Sequence, residues 1–156
     1  MTRYAESTSV PADRSRAEIE RVLTRYGATG FMYGWQGNTA QIRFELANRS
    51  VKFVLPMPDI TDREFNCTPT GKGRGAAAAT AAHAQAVRQR WRALLLVIKA
   101  KLEAIEAGIS VFDDEFLAHI LMPDGVTVSE HVRPRLEAAY LTGQSQPLLP
   151  DLRSKS

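Results

Sequence analysis

The stretch between Gly75 and Gly108 constrains this chain more than any other, because it holds no glycine or proline and is built largely from Ala, Leu, Lys, Arg, Gln and Glu. Those residues give up little freedom on entering a helix. Val87, Trp91, Leu94, Leu95, Ile98, Leu102 and Ile105 recur in it at steps of three and four, which places them on one helix face. Gly108 supplies the stop, since glycine enters the left-handed conformation of a C′ position without steric cost. At about 1.5 Å per residue such a helix is roughly 45–50 Å long. A chain of 156 residues is one domain's worth, so the remainder has to pack on it.

Upstream, residues 1–13 are polar and contain Pro11, and are expected to form a flexible N-terminal segment. Ser15 to Glu18 fits a capping box; Ile19, Val22, Leu23 and Tyr26 follow at helical spacing until Gly27. The period then changes to two. Phe31, Tyr33 and Trp35 alternate with Met32, Gly34 and Gln36, and beyond the hairpin signal Gly37-Asn38 the apolar residues are Ala40, Ile42, Phe44 and Leu46. Folding about that turn sets Trp35 opposite Ala40, Tyr33 opposite Ile42 and Phe31 opposite Phe44. Asn48-Arg49 offers a second turn, after which Val51, Phe53 and Leu55 return inward and Lys52 points outward. The expectation is a three-stranded antiparallel meander with one core face and one polar face.

Pro56 and Pro58 end the sheet, and residues 56–75 are expected to be a long basic loop. After the long helix, Ser110 with Asp113 predicts the cap of a helix bearing Phe112, Phe116, Leu117 and Ile120. Pro123-Asp124-Gly125 predicts a turn, and a last helix runs from about Thr127 to Gly143. Residues 144–156 are expected to be a flexible tail. The predicted fold class is therefore α+β in a single domain over residues 14–143. Its order is an N-terminal helix, the meander, one long central helix and two shorter C-terminal helices. The inner face of the meander should pack on the stripe Val87–Ile105. The two C-terminal helices should cover Leu96 and Val97, because Ala93–Ile98 is apolar nearly all round.

Charge is distributed unevenly. The formal net charge is only +3, yet residues 66–102 carry seven Lys/Arg and no acid, while residues 103–143 carry two Lys/Arg and eight Asp/Glu. A basic middle against an acidic third suits a polyanion-binding face or a self-complementary contact between copies, so homo-oligomerisation is a candidate. No run approaches the roughly 18 apolar residues of a membrane span. The polar N-terminus reads as no secretory signal, and the lone Cys67 fits a reducing setting, so a cytoplasmic location without membrane contact is expected.

Three sets of basic residues are candidate nucleic-acid contacts. Lys72 and Arg74 lie in T-P-T-G-K-G-R-G, where glycines precede a helix N-terminus; the motif is not a Walker A loop, because Gly73 follows Lys72 where Ser or Thr is required. A plain basic linker is the alternative. Arg88, Arg92 and Lys99 fall on one flank of the apolar stripe, and Arg90 and Lys101 on the other. Arg43 and Lys52 point from the outer sheet face. Trp91 and the hairpin aromatics sit on apolar faces and read as core rather than as stacking platforms. For catalysis, Asp113, Asp114, Glu115 and His119 cluster, but capping and an i,i+4 pair account for them, and two further metal ligands would have to come from elsewhere. Pro58-Asp59 lacks a following acid-x-Lys, and glycine-rich cofactor fingerprints, HExxH and GxSxG are absent. The expectation is a protein without catalytic residues, metal or cofactor.

The segments RWRALLLVIKAKLEAIEAGISVFDDEFLAHILMPDG (Arg90 to Gly125) and RYGATGFMYGWQGNTAQIRFEL (Arg25 to Leu46) resemble small uncharacterised proteins encoded in tailed-phage and prophage genomes. That resemblance implies a setting, DNA metabolism or the disabling of host defence, and no site residues. A meander followed by one long helix is also similar in order to the core of phage single-strand annealing proteins, with no motif matched. Together these readings favour non-catalytic binding of single-stranded DNA or RNA in phage or host DNA metabolism. The alternative is an accessory factor that binds an acidic or nucleic-acid-binding protein, such as an inhibitor of a host defence or DNA-processing complex. A metal-dependent hydrolase is the third reading.

Overall fold

A computed structural model describes the backbone of residues 2–151 and the side chains of residues 14–151. The elements are α1 (Thr2–Arg25), β1 (Gly30–Gln36), β2 (Thr39–Leu46), β3 (Arg49–Pro56), α2 (Arg63–Asn66), α3 (Ala76–Glu106), α4 (Phe112–Phe116), a 3-10 turn (Leu117–His119) and α5 (Val128–Thr142). This is the α+β order expected, with the long helix bounded by Gly75 as N-cap and Gly108 at φ 75°. The strands pair antiparallel in the order β1-β2-β3. Phe31 faces Phe44, Tyr33 faces Ile42 and Trp35 faces Ala40, so alternation and the Gly37-Asn38 turn fix the first register. The second turn sits one residue earlier than expected. Ala47 and Asn48 take φ of 52° and 59°, the consecutive positive values of a tight hairpin, and Arg49 already pairs with Leu46. From there the Arg49 guanidinium grips the Asp113 carboxylate through Nε at 3.1 Å and Nη2 at 3.0 Å.

Both long helices lie on one face of the sheet. They run in the same direction, since Glu18 meets Lys99 and Tyr26 meets Glu106 along their lengths. Ile19, Val22 and Leu23 of α1, Trp91, Leu94, Ile98 and Leu102 of α3, and Ile42, Phe44, Val51 and Phe53 of the sheet form one buried cluster with Phe116 and Ile120. Removing each such side chain from water is worth roughly 1.5–3 kcal/mol before chain entropy is offset.

Several expectations are corrected. Helix α1 starts at Thr2, so residues 2–13 lie within it, and Ser15 to Glu18 lies inside the helix instead of capping it. Of the expected 144–156 tail, residues 152–156 fall outside the described residues. Residues 57–75 are a built strap rather than a loose loop. Asp59 accepts from Thr61, Phe65 is buried edge-on to His83 at 5.3 Å, and the His83 ring meets the Pro58 carbonyl at 2.8 Å. The strap then closes a hairpin in which Cys67 bridges Gly73. Helix α4 has Val111 as N-cap, whose side chain carries no acceptor, and Asp113 pairs with Arg49 rather than capping with Ser110. Trp35 is 71% exposed, being in the last row but one before the hairpin turn, where the facing strands offer only Ala40 and Leu55.

The C-terminal helices do not cover Leu96 and Val97, which are 56% and 44% exposed. Ile120 bridges Val51, and the Leu121 amide donates to Ser50 at 2.8 Å, so the chain is carried to the free edge of β3. It reverses at Gly125 and starts α5 there, away from α3. Thr127 and Glu130 form a full capping box at that start. Thr127→Ala removes a side-chain acceptor that is itself buried, and is expected to cost about 1–2 kcal/mol in urea denaturation.

Candidate nucleic-acid interface

The basic residues singled out from the sequence occupy three separate places. Arg88, Arg92 and Lys99 share one flank of α3, as the helical spacing requires, and that flank abuts α1. Arg14, Ser15 and Glu18 of α1 and Arg92, Leu95, Leu96 and Lys99 of α3 line a cleft of about 350 Å³. Lys99 reaches Glu18 at 3.4 Å, and Glu18 also receives Arg21 at 2.7 Å. Arg88 donates from Nε to Gln85 at 3.1 Å, which lays its guanidinium along the helix. Among the described residues Arg88, Arg90 and Arg92 form no ion pair. Among the described residues the cleft therefore has three cations around an apolar floor, with one carboxylate between them.

Lys72 and Arg74 lie at the other end of α3. Arg88 stands twelve residues past Ala76, roughly 18 Å of helix rise, so the hairpin does not join the cleft. Nor is the hairpin a phosphate cradle. The Thr68 amide donates to Lys72 at 2.7 Å, Gly71 to Thr68 at 2.8 Å, Lys72 to the Thr68 hydroxyl at 3.0 Å and Arg74 to Asn66 at 2.7 Å, so these amides are spent inside the turn. Lys72 is exposed, and Arg74 leans on the Glu64 carbonyl at 3.3 Å. Arg43 and Lys52 are cross-strand partners on the sheet face opposite the helices.

Arg14 and Arg16 were missed by sequence reasoning. Placing the helix start at Ser15 put Arg14 outside it, although Arg14 and Glu18 are four apart, the spacing of one helical face. Arg16 lies over the Tyr33 ring at 3.9 Å, and Tyr33 meets buried Trp91 edge-on at 5.6 Å.

The acidic cluster has structural partners. Asp113 pairs with Arg49 at 3.0 Å and Glu115 with Lys101 at 3.8 Å, and no group of three His, Cys, Asp or Glu among the described residues is placed to hold a metal ion. His119 stacks on Phe53 at 3.9 Å. Burial, followed by the charge of Lys101, holds its imidazole below the ordinary value. The unfolded chain therefore takes up this proton first as pH falls. Stability is present above the ordinary imidazole value and is lost as pH drops towards the folded one. His119→Phe should flatten the fall in denaturation midpoint as pH drops below the ordinary imidazole value.

No helix among the described residues is long and apolar enough to cross a membrane. No protein family, curated protein or solved structure matches this chain.

Proposed function

We propose that this protein binds single-stranded nucleic acid without catalysis, through the cleft between α1 and α3, in phage or host DNA metabolism. The observation that carries this reading is the grouping of Arg14, Arg92 and Lys99 around Leu95 and Leu96. Cations that replace condensed counterions supply affinity, and an apolar floor beneath them suits bases that are not paired to another strand. A duplex hides its bases and would leave Leu95 and Leu96 unused. Arg88 extends the cationic flank by one turn, and Lys72 with Arg74 gives a second, distant contact for a longer strand. Fluorescence anisotropy with labelled oligonucleotides is expected to give tighter binding to single strands than to duplex, weakening with salt. Binding indifferent to salt would sink the proposal.

One observation favours a second reading, an accessory factor or inhibitor that docks on a protein. Helix α5 leaves Tyr140 86% and Leu141 81% exposed beside Leu136. A partner retained in stoichiometric amount after nuclease treatment, and lost from Tyr140→Glu, would support that reading over the first.

A further inference from the structure

The outer face of the sheet carries a cavity that neither reading uses, and we propose that it binds a small organic anion, a phosphate monoester or carboxylate joined to an apolar or flat body. Cross-strand neighbours build its base, Met32, Arg43 and Lys52 in one row and Gly34 beside Gln41 in another. Its wall is the reversal after the 3-10 turn, where Met122 donates to Val126 at 2.9 Å and the chain is pinned to Ser50 through Leu121. The cavity holds about 380 Å³, within the range of small-molecule sites, roughly 300–1,000 Å³.

Charge gives the site its preference. Arg43 and Lys52 stand directly opposite one another, an arrangement that is unfavourable in a sheet. The acids within reach leave it half compensated. Glu130 meets Lys52 at 3.4 Å, Glu45 on the same face is held by the Ser50 hydroxyl, and Arg43 forms no ion pair among the described residues. An anion lying between Arg43 and Lys52 removes that repulsion and accepts charge-assisted hydrogen bonds. Gly34 leaves the sheet surface bare beside Gln41, so a ligand body can lie there between Met32 and Leu121 while the Gln41 amide meets its polar edge. The sheet itself separates this cavity from the α1–α3 cleft, so each proposal can fail without the other.

The test is a titration of the full chain, followed by amide resonances, with adenosine 5′-monophosphate, benzoate, octanoate and inorganic phosphate as probes. The Gly34, Gln41 and Gly125 signals are expected to move with at least one organic anion at submillimolar concentration, and about tenfold more weakly with inorganic phosphate. Arg43→Gln should weaken that binding by at least about tenfold, the effect of one lost charge-assisted contact. Gly34→Val keeps every charge. Its Cβ would meet Gln41 Nε2 at 3.9 Å, an ordinary contact on a strand that accepts β-branched residues, while the added methyls occupy the cavity. It should abolish organic-anion binding and retain nucleic-acid binding. The proposal is overturned if no organic anion moves these signals at millimolar concentration, if Arg43→Gln binds as the parent does, or if Gly34→Val leaves binding intact, which would mark simple counter-ion attraction.

Discussion

Phe116→Ala is expected to destabilise the domain by about 3–5 kcal/mol, the largest loss of any single substitution considered. Phe116 has no exposed surface and meets three rings: Phe44 edge-on at 5.9 Å, Phe53 edge-on at 6.2 Å and Phe112 stacked at 4.7 Å. Aromatic contacts of this kind add about 0.5–1.5 kcal/mol each beyond area burial. Their placement matters more than their number. Helix α4 is five residues long and has no side-chain cap, so it cannot hold itself. Phe116 pins it under the sheet, and the 3-10 turn, the Ile120 bridge and the start of α5 all follow from that pin. Truncation leaves a cavity between Phe44 and Phe53 that neighbouring aromatic rings cannot collapse to fill. Against a total stability of about 5–15 kcal/mol, a loss of that size takes a large share of the total and, at the low end of the range, brings a domain close to half unfolding. Urea denaturation should show a lower midpoint with an unchanged slope. Tyr140→Ala on exposed α5 should stay within about 0.5 kcal/mol. Equal effects at the two positions would refute the packing described here.

The contrast between those residues also marks what the sequence makes legible. Periodicity reports which face of an element is apolar, and it placed Ile42, Phe44, Val51 and Phe53 against Trp91, Leu94, Ile98 and Leu102. It does not report what will cover a second apolar face. Leu96, Val97, Leu136 and Tyr140 all carry helical spacing, yet α5 leaves along the edge of β3 because two main-chain hydrogen bonds, from Leu121 to Ser50 and from Val128 to Ile120, decide its course. Backbone pairing of that kind has no side-chain signature. Glycine content misled in the same way. T-P-T-G-K-G-R-G reads as flexible, but Pro69 and Gly71 are turn residues, and the Thr68 hydroxyl closes the hairpin. Of the candidate site, the α3 flank was legible from spacing. The partition of Arg43 and Lys52 to the far side of the sheet followed from strand alternation alone. Arg14 was not, because its contribution depends on α1 continuing past the residues that look like its cap.

Salt dependence gives the nucleic-acid proposal its sharpest consequence. If Arg14, Arg88, Arg92 and Lys99 each displace one counterion from a single strand, affinity should fall with a logarithmic slope of about −2.8. A fourfold rise in salt then weakens binding roughly fifty-fold. In the Arg14→Ala/Arg92→Ala double variant the slope should halve to about −1.4, and the same rise should cost only roughly sevenfold. Within the set, Lys99 should matter less than Arg92, since Glu18 already neutralises part of its charge at 3.4 Å while Arg92 has no carboxylate partner among the described residues. The same geometry predicts a change of opposite sign. Glu18→Gln removes the carboxylate that lines the cleft among the described residues and releases Lys99, so single-strand affinity should rise and the salt slope should steepen. A gain of affinity is a result that unfolding cannot imitate. If Glu18→Gln binds no better than the parent while the double variant loses affinity, the cations act from somewhere other than this cleft. If neither variant moves the slope, the strand does not lie between α1 and α3 at all.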